Sequence, residues 1–263
     1  MSDPRNRDSQ EPVYRQSIRP AHEFFLENRP LKSVGEELLE RFGGQKFGTI
    51  LADPPWRFSN RTGKVAPEHR RLSRYHTMDL QEILELPIAQ LALPQSHLYL
   101  WVPNALLAEG LEVMRRWGFT YKTNIIWYKV RKDGGPDRRG VGFYFRNVTE
   151  MVLFGVRGGL RTFKPGRRQE NIIVARKREH SRKPDELYDI IEACSPGPYL
   201  ELFARTERPG WYQFGDELGR YQPPDYPAYT RRSGDERQQI ALPLVRDRRG
   251  CKDREGKDSW VRY

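Results

Sequence analysis

With 263 residues, 37% of them hydrophobic, and a mean hydropathy of −0.83, the chain suits an α/β domain with a polar periphery. No apolar run approaches the roughly 20 residues of a membrane span, and the polar start is not typical of a signal peptide, so we expect a cytoplasmic protein without membrane contact. The formal net charge is +11, and its distribution along the chain is informative.

The pattern of polar and apolar residues divides the chain into three parts. Residues 1–30 form a polar N-terminal extension, and residues 221–263 form a Pro-rich, charged C-terminal appendage. Between them, residues 31–220 alternate short apolar runs with helical patterns, which is typical of an α/β domain with a parallel sheet. Cys194 and Cys251 fit neither a disulfide framework nor a zinc pattern, and the five histidines are scattered, so we expect no metal.

Seven apolar runs within the central domain predict β-strands. They lie at residues 47–52, 97–102, 121–129, 150–156, 172–175, 199–203 and 211–215.

Two helices are predicted between these strands. Asn104 is expected to cap the first. The core residues of this helix recur at three- and four-residue spacing: Leu107, Leu111, Met114 and Trp117. The second helix is expected to start at Pro184, with Asp185 and Glu186 in its first turn. Its apolar face combines Leu187, Ile190 and Ile191.

The positive charge is concentrated in one segment. Between Lys129 and Lys183 there are 16 Lys or Arg against 5 Asp or Glu, so this segment carries the whole excess. A solvated face would explain the charge alone, but the cations are interleaved with aromatic residues, which favours nucleic acid as the partner. The expected contacts lie in the loop 131–142 and in the run 161–168: Arg138, Arg139, Arg161, Lys164, Arg167 and Arg168.

An acidic and aromatic motif follows the first predicted strand, FGTILA. It consists of Asp53, Pro54, Pro55 and Trp56. Open α/β sheets bind ligands at the carboxyl ends of their strands, so an active site is expected here. The residues of this motif suit chemistry at the amino group of adenine. The amino nitrogen of adenine is a poor nucleophile because its lone pair is delocalised into the ring. The Asp53 carboxylate and the Pro54 carbonyl can accept its two N–H groups and free that lone pair, while Trp56 is expected to stack on an extruded base.

The order of motifs resembles the MT-A70 family of adenine-N6 methyltransferases, in its bacterial or phage branch. The resemblance covers roughly residues 45–220 and rests on ADPPW, YHTM, LYLWV, WGF, IIWYK and KPDELYDIIEACSPGPYLELFAR. It implies an α/β, Rossmann-like S-adenosylmethionine-dependent methyltransferase fold with the permuted, beta-class motif order. In that order the DPPW motif precedes the cofactor-binding segment.

The resemblance also implies roles for single residues. Asp53 would contact the methionine moiety of S-adenosylmethionine, Tyr75 would clamp the adenine, and Lys183 would pair with the methionine carboxylate. Further cofactor contacts are implied at five positions: Glu201, Arg205, Arg208, Asp216 and Glu217. Asp216 and Glu217 stand where the family has an Asn-Gln pair, and Ala204 stands where glycine is usual.

Three alternatives concern activity and substrate. A catalytically silent, nucleic-acid-binding partner of the same fold is disfavoured because Asp53 and Trp56 are both present. Cytosine N4 methylation uses similar motifs, but Trp56 and the extent of the resemblance favour adenine. The chain has no zinc-finger pattern, which favours duplex DNA over RNA and a nucleoid-associated enzyme. A homo- or heterodimer is compatible with the sequence.

Overall fold

A computed structural model describes residues 32–57, 77–137, 144–164, 168–178 and 182–219. The predicted extension at 1–30 and the appendage at 221–263 lie outside these residues. The described strands are β1 (Phe47–Ala52), β2 (Ala92–Val102), β3 (Thr120–Val130), β4 (Thr149–Arg157), β5 (Ile172–Arg176), β6 (Tyr199–Leu202) and β7 (Trp211–Phe214). The described helices are α1 (Val34–Phe42), α2 (Leu80–Leu84), α3 (Ile88–Leu91), α4 (Leu107–Arg116) and α5 (Glu186–Cys194).

The seven strands form one sheet in the order β5-β3-β4-β2-β1-β6-β7. β4 runs antiparallel to both of its neighbours, and the remaining described pairs are parallel. The expectation of an all-parallel sheet is therefore wrong at β4. Because β4 is reversed, its first residues lie at the sheet edge where the other six strands end. This shared edge is called the carboxyl edge below.

Helices cover both faces of the sheet. Residues of α1 to α4, among them Leu38 and Met114, pack with Ile50 of β1 in one buried cluster. On the other face Leu187 and Ile191 of α5 pack with Leu51 in a second cluster. Since neighbouring residues of a strand point to opposite faces, β1 is buried on both sides, which explains its continuous apolar sequence.

The predicted face of α4 is partly wrong. Leu107 and Leu111 are 38% and 37% exposed, whereas Val113 and Met114 are buried. A Cβ on Gly110 would lie 2.6 Å from Val102, so the helix rests on β2 along its glycine side. This close approach rotates the predicted stripe partly toward solvent.

The predicted cap of this helix is also wrong. The Asn104 side chain donates to the carbonyl of Thr149, 3.2 Å away, instead of capping the helix. A short 3-10 turn, Asn104–Leu106, precedes α4, and Leu106 is the N-cap residue of α4. The Asn104 side chain, which the local pattern assigned to the helix end, therefore binds β4 instead.

Two shorter helices begin with capping boxes that the apolar pattern did not reveal. The Ser33 hydroxyl accepts from the amide of Glu36, and the Glu36 carboxylate accepts from the amide of Ser33, at the start of α1. Asp79 and Glu82 make the same reciprocal pair at α2. A capping box satisfies two amide groups that would otherwise lack partners at a helix start.

Candidate active site

The Asp-Pro-Pro-Trp motif follows directly after β1 at the carboxyl edge, as its position in the sequence predicts. Three backbone hydrogen bonds hold it: Trp56 donates to Pro54, Met78 donates to Pro55, and Arg57 donates to Met78, at 2.8 to 3.1 Å. The Asp53 amide lies beside the next strand, 3.4 Å from the carbonyl of Leu202. The motif is therefore a fixed turn between β2 and β6.

Trp56 is buried, with only 6% of its surface exposed, and it belongs to the core cluster of α1 to α4. Its indole N–H donates to the carbonyl of Trp101, 3.0 Å away. A ring this deeply buried exposes little surface for a base, so this geometry does not support the expected stacking on adenine. Instead, Trp56 anchors the motif to the end of β2.

A chain of alternating charges connects Asp53 to the interior. Lys183 Nζ lies 3.0 Å from Asp53 Oδ2 and 3.4 Å from Glu150 Oε2. The other oxygen of Glu150 pairs with Lys129, which is 7% exposed. Lys183 also lies over the ring of Trp101, 5.0 Å from its centre. These contacts fix the lysine against the carboxylate that the sequence singles out.

The same network determines which groups are charged. Burial alone would lower the pKa of Lys183, but the charges of Asp53 and Glu150 outweigh it and raise the pKa. Burial would raise the pKa of Glu150, yet Lys183 and Lys129 hold it at about 2. Both groups are therefore ionised at neutral pH, and opposite charges support each other in an environment that water screens weakly.

Glu201 has a different environment on the other side of Asp53. Its oxygens accept hydrogen bonds from the Tyr188 hydroxyl at 2.8 Å and from the Gln213 side-chain amide at 2.6 Å. Burial raises the pKa of Glu201 to about 7, and these two hydrogen bonds lower it less than burial raises it. Since its direct partners are neutral, this carboxyl exchanges its proton near neutral pH.

A cleft opens between Asp53, Glu201 and the segment that leads into α5. Its lining is apolar and aromatic at Leu51, Trp101 and Phe203 and also includes charged residues. The lining comprises Leu51, Asp53, Trp101, Arg182, Lys183, Pro184, Asp185, Leu187, Tyr188, Glu201, Phe203, Arg205 and Thr206.

The backbone of Phe203 is strained at the end of β6. Its φ angle is 64°, a left-handed conformation that is uncommon for a bulky residue. Such strain costs about 1–3 kcal/mol and tends to occur at functional sites. Gly215 supports this turn from β7, because a Cβ there would lie 2.4 Å from the Ala204 carbonyl oxygen.

Some residues implied by the resemblance do not reach the cleft. Arg208 binds both oxygens of Glu192 at 2.8 and 3.0 Å and also contacts Asp189, so its guanidinium is held against α5. Glu217 pairs with Arg205 at 3.0 Å, and Asp216 is exposed. Of the implied cofactor contacts, Asp53, Lys183, Glu201 and Arg205 line the cleft, and Arg208, Asp216 and Glu217 are not among its lining residues.

Sequence reasoning did not identify Lys129, Glu150 and Tyr188 as site residues. Glu150 and Lys129 belong to strands that the sequence predicts from their apolar residues. Charged residues inside such runs need a partner when buried, and this signal could have pointed to them. Tyr188 stands on the first turns of α5, where its hydroxyl reaches Glu201.

Three of the expected nucleic-acid contacts lie at the edge of the sheet opposite Asp53. Arg161 and Lys164 follow the end of the reversed strand β4, and Arg168 precedes β5, so all three lie at the edge opposite Asp53. The backbone bond from Phe163 to Cys194, at the far end of α5, agrees with this location. The structure does not bring them together with Asp53. Tyr75, Arg138, Arg139 and Arg167 lie outside the described residues.

The described residues contain no group of three or more His, Cys, Asp or Glu residues placed to hold a metal ion. Within the same ranges, every helix is too short or too polar to cross a membrane.

Comparison with known proteins identifies a family that fits this geometry. The MT-A70 family model matches residues 47–217. The human N(6)-adenosine-methyltransferase catalytic subunit METTL3 is 34% identical over 66% of the chain, and an MT-A70-like N(6)-adenosine-methyltransferase of Drosophila melanogaster is 32% identical over the same share. The chain spans only 28% and 27% of these two relatives. The type II methyltransferase M.MunI of Mycoplasma sp is 26% identical over 70% of the chain and 82% of its own length.

MT-A70 methyltransferases use S-adenosylmethionine as the methyl donor. The lining of the cleft includes a cation, Lys183, and the carboxyl groups of Asp53 and Glu201, which are groups that can pair with a carboxylate and with positive charges of a ligand. The apolar part of the lining suits the uncharged parts. The matched family model covers more than half of the chain, and the sheet is of the Rossmann-like α/β type. The chain therefore belongs to the MT-A70 family.

Proposed function

We propose that this protein transfers a methyl group from S-adenosylmethionine to the N6 amino group of adenine in DNA. The observation that carries the proposal is the Asp53–Lys183 ion pair, 3.0 Å long, at the end of β1 beside the cleft. The bound cofactor would supply an electrophilic methyl group on a sulfonium. The chain's own residues would align the base and manage charge.

Asp53 and Pro54 would activate the amino group together. Lys183 takes one oxygen of the Asp53 carboxylate, which leaves the other oxygen to accept an N–H of adenine. The Pro54 carbonyl already accepts from the Trp56 amide and retains a second lone pair for the other N–H. With both N–H groups directed toward these acceptors, the nitrogen lone pair can face the methyl group.

The nitrogen must lose a proton once it has gained the methyl group. The Asp53 carboxylate would accept this proton, because it would be in direct contact with that nitrogen, and Lys183 holds the carboxylate in place. Glu150 holds Lys183 in place, and Lys129 holds Glu150. Lys183 and Glu150 would therefore act as positioning residues for the acceptor.

One observation favours a DNA substrate over RNA. The match covers 82% of a type II methyltransferase, which is consistent with a restriction-modification enzyme, and a much smaller share of the adenosine methyltransferases. RNA N6-adenosine methylation is the second candidate, because the relatives with 32–34% identity are named for adenosine.

The test is methyl transfer from labelled S-adenosylmethionine to matched DNA and RNA pools, followed by analysis of the modified nucleoside. We expect N6-methyladenine in DNA, and none with Asp53→Asn, which keeps the shape of the side chain but removes its charge. Glu112→Gln, on the exposed face of α4, is the matched control. Product in RNA alone would overturn the DNA assignment, and product on cytosine would overturn the adenine assignment.

A further inference from the structure

The carboxyl edge continues past Asp53 toward β3 and β5 with a row of aromatic and basic side chains. Tyr144 and Phe145 are 94% and 85% exposed, the most exposed of the large hydrophobic residues described. Arg146 follows them and is also exposed. Large aromatic rings at such exposure have no partner within the described fold that would offset their contact with water.

The chain connects these rings closely to the active site. Phe145 precedes Thr149, the first residue of β4, by four residues, so the two lie no more than about 14 Å apart. The next residue is Glu150, which pairs with Lys183 beside Asp53. Because β4 is the reversed strand, its start lies at the carboxyl edge, and the two rings lie on the same side of the sheet as the candidate active site.

A basic groove lies at the same edge of the sheet. Its lining comes from the ends of β3 and β5, two parallel neighbours in which Val130 is paired with Arg176. The lining residues are Val130, Arg131, Lys132, Asp133, Asp137, Arg176 and Lys177. Four cations thus face two carboxylates, and Asp133 is bound to Arg131 within the loop. The excess charge of the groove suits a polyanion.

We propose that these residues form a surface for the strand that flanks the target adenine. Tyr144 and Phe145 stack on unpaired bases next to the target, while Lys132 and Lys177 neutralise the phosphates of the same strand. This flank surface rests on the proposed function, since it lies at the same edge as Asp53. Flat rings give stacking without sequence preference, and cations follow the backbone, which is how unpaired strands are commonly bound. The substrate strand therefore runs along the β3–β5 side of the sheet.

The first experiment removes the rings. Tyr144→Ala combined with Phe145→Ala is compared with Tyr121→Ala, an exposed tyrosine at the opposite edge. Binding of the full chain to a fluorescent single-stranded oligodeoxynucleotide of mixed sequence is measured by anisotropy. Each stacked ring is expected to contribute roughly 5- to 150-fold in affinity, so the double variant should lose at least tenfold. Thermal melting should change little, because the rings are exposed.

The second experiment neutralises the groove. Lys132→Gln combined with Lys177→Gln is compared with Arg116→Gln combined with Lys122→Gln, which removes the same charge near the opposite edge. Each phosphate contact on a single strand contributes about 0.7 to the slope of log affinity against log salt. The groove variant should therefore flatten the slope by about 1.4, and the control should leave it unchanged.

Four results would overturn the flank surface. Equal losses of affinity, or of salt dependence, in the test and control variants would show that exposed rings and positive charges contribute equally at either edge of the sheet. An equal loss on an uninterrupted duplex would reject unpaired bases. A wild-type dimer that dissociates in the Tyr144→Ala, Phe145→Ala variant would make this surface a contact between copies of the chain. If wild-type protein methylates adenine while these variants bind normally, the flank surface fails and the proposed function stands.

Discussion

The two halves of the carboxyl edge differ in how their charges are arranged. On the β3–β5 side, Lys132 and Lys177 line an open groove with an excess of cations. On the β6–β7 side, the arginines are held by carboxylates, as Arg205 is by Glu217 and Arg208 is by Glu192. Asp53 lies between the halves. One half therefore suits a polyanion and the other suits a cation, the two ligands that a methyl transfer to nucleic acid brings together.

The two halves also differ in what determines the ionisation of their buried carboxyl groups. Glu150, on the β4 side, is held ionised between two lysines, whereas Glu201, on the β6 side, is bound by a tyrosine and an amide. The first arrangement fixes a charge permanently, and the second leaves it dependent on pH. The following variants test this comparison.

The largest effect is expected at the boundary between the halves. Asp53→Ala should reduce kcat/KM for methyl transfer by at least about 100-fold, because an aligned acceptor contributes several kcal/mol to the barrier. Thermal melting should show an intact fold, since Asp53 lies beyond the end of β1. Near-normal turnover by a folded variant would remove Asp53 from the mechanism.

Lys183→Ala should weaken cofactor binding by about tenfold or more while changing nucleic-acid affinity less. It removes the cation that faces the cleft and leaves Asp53 and Glu150 without their shared partner. Calorimetric titration with S-adenosylmethionine alone measures the first effect, and oligonucleotide anisotropy measures the second. An unchanged dissociation constant for the cofactor would exclude Lys183 from the cofactor site.

Glu201 should make cofactor affinity depend on pH. Its pKa of about 7 in the folded protein means that ionisation increases between pH 6 and 8, and the ionised form attracts a cationic ligand. Affinity for S-adenosylmethionine is therefore expected to rise several-fold over this range, with proton release on binding. Glu201→Gln should flatten the profile in calorimetry, and a parallel profile in this variant would contradict the assignment.

The Glu201 carboxyl should also make the free energy of unfolding depend on pH. This dependence has the opposite sign to that of cofactor affinity, because stability falls as pH rises. Because the pKa is raised above its ordinary value of 4.5, the folded state binds the proton more tightly than the unfolded state. Its contribution is fully present below about pH 4.5 and is lost as pH rises through about 7. Denaturant titrations should show a decline of about 2–3 kcal/mol in the free energy of unfolding over this interval. The decline should be absent in Glu201→Gln.

The smallest effect on binding is expected from Arg208→Ala. The guanidinium clamps Glu192 and Asp189 and lies over the ring of Tyr188, outside the cleft. The variant should lose about 1–3 kcal/mol of stability, a range typical of hydrogen bonds to charged groups, and its cofactor affinity should fall less than that of Lys183→Ala. A larger loss of affinity than in Lys183→Ala would mean that the arginine contacts the cofactor directly.

The sequence by itself determined the strands and the location of the Asp-Pro-Pro-Trp motif. All seven predicted strands are present, with ends within a few residues except for β2, which begins at Ala92 instead of His97. Local alternation and apolar runs carry this information because they report the burial of a strand directly. The position of Asp53 followed from the same pattern, since a strand end in an α/β sheet is a predictable place for a ligand.

Only the tertiary structure decided which side chains meet. The reversal of β4 brings Glu150 to Lys183, places Tyr144 near the site and carries Arg161 to the opposite edge. Packing also buried Trp56 and turned Leu107 and Leu111 outward. These outcomes depend on strand direction and on contacts between residues far apart in the chain. A local pattern specifies the period and length of an element, but the direction of its neighbours is set by how the whole sheet buries its apolar surface.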